Sequence, residues 1–519
     1  MIGNYNVRKL VYFIFCVIYA FARSIYRFFN FILKPLIHVH PRIQRFDAAL
    51  RDAVKELLKP PTMIPENTSQ PNTETVPKSI HKSGYDNEKK VSLPDWLIQE
   101  WREIHSVEPQ LFPEKWLIEN IQFYHIPTSR LSEPYIELCN LYGKDISHVF
   151  LVPWLVKGGA DLVTINYIQA LKSNNLAKGI TVISTLNADS PWTVRLPENV
   201  RFIEFGKIYS YLSQDEQEKL LSRLLLQMAP KVIHNINSEL GYKIFVQYGK
   251  ALSTFSSLYV SSFCIDLIPE DQMSGYPIWY LPKCFNYLQA LFSENQTHLK
   301  RLHEMYAFEQ QKMFVHYQPI DIPKKQNTSN NDGEKDHLDI LWAGRLDRQK
   351  RPDILIQIAK KCLKLPFKFH VYGSPVLDTD IYTHQFAKLN NVTYHGPFNG
   401  LASLPADRYD VFLYTSQWDG IPNILLEAIL LNLPVIASNV GGVAEIITNE
   451  KTGFLIDPYD DVDKYVKCIL KIYNNRSMLR DTIKNAHQLV TLRHSWESFV
   501  NEIRKDSHYI YKAVSNNIK

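Results

Sequence analysis

The 519-residue chain has no Cys-x-x-Cys pair, and its six cysteines (Cys16, Cys139, Cys264, Cys284, Cys362, Cys468) lie scattered. No histidine cluster carries metal-ligand spacing. These absences speak against a zinc module or a disulfide-stapled fold and point to a reducing compartment. The Gly-x-Gly-x-x-Gly fingerprint is missing too, which disfavours a dehydrogenase. Charge of one sign is not in excess over the body of the chain. Net charge is +5, but residues 1–60 hold ten Lys/Arg against three Asp/Glu, so +7 sits in that tail and the rest is near −2. A nucleic-acid-binding face is therefore not expected. The apolar run at residues 10–22 (LVYFIFCVIYAFA) is short: as a helix it spans about 20 Å, against a ~30 Å hydrocarbon core.

What the tail does have is amphipathicity. Arg23, Arg27, Asn30 and Lys34 fall at spacings of four, three and four, opposite Phe28, Phe29, Phe31, Ile32 and Leu33. A basic stripe against an aromatic face describes a helix lying in a membrane interface. Residues 1–58 are read as such a membrane-associating extension. A true span with snorkelling arginines and a signal peptide cleaved after Ala20-Phe21-Ala22 are the alternatives. Residues 59–92, rich in Pro, Asn, Thr, Ser and Lys, read as a disordered linker. Residues 93–145 read as a helical collar, with Leu97, Trp101 and Ile104 on one face and Trp116, Ile118 and Ile121 as later anchors.

From residue 146 the pattern changes to short apolar runs alternating with amphipathic helices, the mark of a parallel α/β fold. HVFLVP (148–153) runs into Lys157-Gly158-Gly159 and a helix at 160–171. Without a Cβ, such a loop lets backbone N–H groups approach a phosphate. Further strands are expected at 179–185, 200–205, 231–234 and 256–262. His234 ends one of them and reads as structural rather than as a cleft residue. The polar stretch 323–339 is the expected crossing to a second unit, which opens with LDILWA (338–343) and Gly344-Arg345-Leu346. Lys350 follows five residues after Arg345, before a helix at Pro352. Strands at 367–372, 391–395 and 409–415 come next, then two helices within 460–487 and a last helix at 496–514. An Asp-x-Asp at Asp378 and Asp380 suggests a metal-dependent transferase, but it falls in a loop of this other pattern and is discounted.

Residues 414–458 organise the chain: strand, loop, helix, strand, glycine loop, helix, strand. Asp419 lies in the first loop and Glu427 eight positions later in the helix, roughly 10–12 Å away at 1.5 Å per residue. Pro422 suits the first turn of that helix, and the N–H groups of Gly420, Ile421 and Asn423 would face a ligand at the carboxyl ends of the strands. The plain alternative is a helix cap and a solvated glutamate.

Asp419, seven residues, Glu427-Ala428, then PVIAS and Gly441-Gly442, preceded by Gly344-Arg345-Leu346 and Lys350, resembles the retaining glycosyltransferases of group 1 (family 4, B-type fold) of bacterial polysaccharide and O-antigen assembly. The resemblance covers residues 147–492 and is specific in the second half. It departs at Asp419, where the family usually has Glu, and at Phe263, near where the family carries a histidine. It implies two doubly wound Rossmann-like domains facing a cleft: an acceptor domain at 146–322 and a nucleotide-sugar donor domain at 338–492, with a C-terminal helix at 493–519 returning to the first. Arg345 and Lys350 would hold the donor diphosphate without a metal or other cofactor, and Glu427 the ribose. Asp419 with the amides of 420–423 would hold the sugar, and Gly158 and Gly159 would meet the diphosphate or the acceptor. The expected partners are a nucleotide sugar and a saccharide or lipid-linked acceptor, at the cytoplasmic face of the inner membrane. An isomerase or phosphorylase on the same fold, or a catalytically silent scaffold, are the rivals.

Overall fold

The computed structural model describes residues 95–109, 130–322, 336–375 and 381–511. The proposed membrane-associating tail, the linker, Trp116, Ile118, Ile121, Asp378 and Asp380 lie outside them. Among the described residues, no helix is long and apolar enough to cross a membrane. The chain divides into two units, 1–123 and 124–519. The first contributes helix α1 (Asp95–Val107). Helix α2 (Ser132–Tyr142) belongs to the second unit, where Leu138 and Tyr142 are buried in its core. Of the collar expected at 93–145, α1 and α2 are described, and residues 110–129 between them lie outside the described residues.

The second unit is built on two parallel sheets. In the first, β1 (His148–Val152), β2 (Ile180–Ser184), β3 (Val200–Ile203), β4 (Val232–Ile236) and β5 (Ser257–Ser261) are followed by β8 (Ala290–Ser293) and β9 (Met313–Val315), in the order β3-β2-β1-β4-β5-β8-β9. Between β5 and β8 a small antiparallel hairpin, β6 (Asp266–Leu267) and β7 (Met273–Ser274), stands outside the sheet. The second sheet holds β10 (Leu338–Ala343), β11 (Phe367–Tyr372), β12 (Val392–Gly396), β13 (Val411–Tyr414), β14 (Val435–Ser438) and β15 (Phe454–Ile456), in the order β12-β11-β10-β13-β14-β15.

The central strands of each sheet are covered on both faces, which is why β1, β2, β4, β13 and β14 are buried along their whole length, while β3 and β12 at the sheet edges alternate. In β1, Val149 and Leu151 enter one core while Phe150 and Val152 enter the other. In β10, Ile340 and Trp342 face one layer, and Leu341 and Ala343 face the opposite one. Helix α3 (Gly159–Ser173) follows β1, α4 (Gln214–Met228) precedes β4, α5 (Glu239–Leu252) follows it, α6 (Gln296–Tyr306) follows β8, α7 (Pro352–Lys361) precedes β11, and α8 (Asn423–Leu430) connects β13 to β14. In each sheet the strand order reverses beside the first strand, between β1 and β4 and between β10 and β13. Loops leaving the carboxyl ends of strands at such a reversal form a crevice.

The last helix is shorter than expected. It runs from Trp496 to Lys505, not to residue 514. The Asp506 side chain accepts the N–H groups of His508 (2.8 Å) and Tyr509 (3.3 Å), a local turn that competes with helix continuation. Phe499, Val500, Ile503, Tyr509 and Ile510 all pack into the core of the first sheet. His234, fully buried, pairs with the Tyr509 hydroxyl (2.8 Å) and the Ser261 hydroxyl (2.9 Å), and burial pushes its pKa well down. It is a structural histidine.

Candidate active site

The loop after β10 starts with Gly344 and ends at Pro352, where α7 begins. Asp347 folds it by accepting the Lys350 N–H at 3.0 Å. The Lys350 ammonium then reaches Asp419 Oδ2, and the Tyr414 hydroxyl donates to the same oxygen. Lys350 Nζ also lies 3.3 Å from that hydroxyl and over its ring, at 5.2 Å. Both charged side chains are more than four-fifths buried. Asp419, one methylene shorter than glutamate, is thus met directly by the lysine. Arg345 behaves differently. It is half exposed, 3.0 Å from Asp347 and bonded to Gln349, and its charge reaches Asp266. The structure joins Lys350 to Asp419 and leaves Arg345 at the rim.

The amides following Asp419 do not form the open array expected from the sequence. The Gly420 N–H is taken by Asp419 Oδ1 (3.1 Å), the Ile421 N–H by Glu294 Oε1 (3.2 Å), and Pro422 has none. Pro422 caps α8 in extended geometry, so Asn423 opens the helix. Glu427, on the next turn, is not a solvated glutamate. Its Oε2 accepts the Leu401 N–H at 2.7 Å, and burial raises its carboxyl while Lys157 opposes the shift.

Across from α8 stands the loop of the first sheet. Asp161 Oδ1 accepts the Val156 N–H (3.1 Å) and fixes the turn holding Gly158 and Gly159, its own carboxyl pushed up to about 6 by burial. A side chain on Gly159 would lie 3.9 Å from the Asn423 amide nitrogen. Lys157 donates to the Phe398 carbonyl (2.9 Å) and to Asn399 Oδ1 (3.2 Å). A cavity of about 820 Å³ opens beside this junction, lined by Asn166, Gln169 and Arg195 on one side and Gly400, Asn423 and Glu427 on the other. That volume suits a small polar ligand.

The β6–β7 hairpin reaches the same loops. Arg348 donates to the carbonyls of Leu267 (2.9 Å) and Ile268 (2.8 Å), and Gln417 donates to Asp271 (2.6 Å). Just before the hairpin, Phe263 stands where a histidine was expected. Cys264 and Asp266 follow it in the field of Asp419, and burial raises both the Cys264 thiol and the Asp266 carboxyl. Lys157, Asp266, Glu294 and Tyr414 are therefore members of this site that the sequence reading missed. Lys157 and Tyr414 had a signal, each being the residue beside a motif already noted. Glu294 follows a strand, β8, that was not anticipated.

Two doubly wound parallel sheets meeting through the loops of their reversal points, with a C-terminal helix returning to the first, make an α/β fold. The solved structure of HepE from Anabaena, in complex with UDP and glucose, superposes with a TM-score of 0.55 at 18% identity, covering 69% of this chain and 98% of that one. The likeness is one of fold. Residues 324–489, about a third of the chain, match the family model for glycosyl transferases group 1. Two curated relatives are a 41.2 kDa uncharacterized protein in the cps region of Klebsiella pneumoniae, 31% identical over 150 residues, and the O-antigen biosynthesis glycosyltransferase WbnH of Escherichia coli, 30% identical over 137 residues. These alignments take in 28% and 26% of this chain, and the chain spans 40% and 38% of the length of those relatives.

Proposed function

We propose that the chain transfers a sugar from a nucleoside-diphosphate sugar to a saccharide acceptor, with retention at the anomeric carbon, in the assembly of a surface polysaccharide. The observation that carries this reading is the largely buried Lys350–Asp419 pair, followed one segment later by half-buried Glu427 on the helix whose Asn423 stands opposite Gly159. In this reading Glu427 accepts the ribose hydroxyls and Asp419 those of the sugar. Arg345 and Lys350 stabilise the diphosphate, on which negative charge builds as the glycosidic bond breaks. Two cations, Lys350 in the pocket and Arg345 at its rim, can do this without a metal. The nucleotide proposed first is uridine diphosphate, in line with the HepE complex.

Binding tests the reading directly. Purified protein melted against UDP, GDP, ADP and CDP is expected to respond to one base, by about 2.7 kcal/mol at a hundredfold excess over Kd. Absence of any response moves the reading to the silent scaffold, which the replacement of the expected histidine by Phe263 favours.

A lipid-linked acceptor at the cytoplasmic face of the membrane is part of the proposal. It rests on the basic, aromatic composition of residues 1–58 and on the O-antigen context of the Escherichia coli relative. Removal of residues 1–58 is expected to shift the protein from the membrane pellet to the soluble fraction. A truncated protein that still pellets argues against the anchor.

A further inference from the structure

Resting on that reading, we propose that Glu294 is a positioning residue, supplied by the first sheet, that holds the Asp419 loop of the second sheet in its working geometry. Glu294 follows β8 directly and is 93% buried, with 7% of its surface exposed. Its Oε1 accepts the Ile421 N–H at 3.2 Å across a sequence separation of 127 residues. The same oxygen accepts the Asn295 amide at 3.2 Å, and Asn295 is itself anchored to the Phe263 carbonyl (3.0 Å) and to the N–H of His298 in α6 (2.7 Å).

Access to the loop depends on Gly420. A methyl group at that position would overlap Glu294 Oε1, with the Phe263 carbonyl 3.2 Å away. The glycine two residues before Pro422 is therefore the gap through which one domain's carboxyl reaches the other's backbone. A carboxyl fixed so firmly on its own domain restrains Ile421, and through it Asp419, to within a hydrogen bond's tolerance.

The carboxyl's electrostatics agree with this role. Burial, with Asp419 adding to it, raises its pKa to about 8 against the hydrogen bonds from Ile421 and Asn295, which favours the protonated form at pH 7. Its second oxygen, Oε2, is buried without a hydrogen-bond partner. A neutral acid tolerates that, whereas a carboxylate facing Asp419 and the Cys264 thiol does not.

The test compares the full chain with Glu294→Ala, Glu294→Gln and Gly420→Ala. It measures binding of whichever nucleoside diphosphate stabilises the wild type and turnover of the matching sugar nucleotide. Glu294→Ala is expected to lower kcat about a hundredfold, the size of loss that a 1 Å misplacement brings, with nucleotide affinity nearly kept. Glu294→Gln keeps the acceptor and is expected to restore most of kcat. Gly420→Ala, with Glu294 intact, is expected to reproduce the loss. Wild-type turnover is expected to fall as pH rises through about 8, and Glu294→Gln to lack that fall.

Full turnover in Glu294→Ala overturns the inference. Loss in Glu294→Gln equal to that in Glu294→Ala also overturns it, since it makes the carboxyl a substrate contact rather than a clasp. Should Glu294→Ala fail to fold, the glutamine variant and Gly420→Ala carry the comparison. A wild type that binds no nucleotide overturns the functional reading itself, a result separate from a wild type that binds and turns over while the variants match it.

Discussion

Lys350→Ala is expected to slow sugar transfer roughly 10²–10³-fold, the loss seen when one preorganised group facing developing charge is removed. The lysine is the cation held closest to Asp419, and it sits in a largely buried position where its charge is weakly screened. Arg345 cannot take over from the rim, where Asp347 and Gln349 hold it. The substitution also leaves the Asp419 carboxylate with neutral donors only, the Tyr414 hydroxyl and the Gly420 N–H, so some loss of stability is expected beside the loss of rate. Initial rates, UDP affinity and a thermal melt separate the two effects. A variant that melts lower but turns over normally would remove Lys350 from the chemistry. A fold-matched variant with slow turnover keeps it there.

Gly441→Ala is the second large effect. Gly441 has φ +50, a conformation that costs an L-residue roughly 1 kcal/mol. The strain is the smaller part. A methyl group there would overlap the Asp419 carbonyl oxygen, and that neighbour is backbone, so no rotamer change relieves it. Next to it, the Gly442 N–H donates to the Gly420 carbonyl at 3.1 Å. The glycine pair after β14 therefore braces the Asp419 loop from its own domain, opposite the brace from Glu294. Displacing the loop by about 1 Å is expected to cost near 10² in turnover, with about 1–3 kcal/mol lost from stability. Turnover near that of the wild type in Gly441→Ala would show that the loop adapts and that its backbone position does not set the rate.

These two sites show where sequence reading stops. Gly441 and Gly442 were legible as a break after a strand, because a glycine pair ends an apolar run in any context. That they abut Asp419, more than twenty residues earlier, depends on how β13 and β14 lie side by side. Arg345 and Lys350 were legible as paired cations from the resemblance of Gly344-Arg345-Leu346 and Lys350 to the group 1 motif. Their divergence was not, since Asp347, Gln349 and Tyr414 each redirect a flexible side chain.

The sequence by itself determined that two runs of short apolar strands alternate with helices in a parallel α/β pattern, that Gly158, Gly159 and Asp419 lie at strand-to-helix joints, and that Glu427 lies on the helix after Asp419. Each of those is a local or periodic property: apolar runs of strand length, amphipathic helices between them, and glycines at their joints. Only the tertiary structure decided that Lys157 meets the 398–399 loop across 241 residues, that the last helix stops at Lys505, and that Glu294 passes beside Gly420 to bind Ile421. Those contacts join distant segments through single side chains, and neither spacing nor periodicity records where two packed domains place a hydrogen bond.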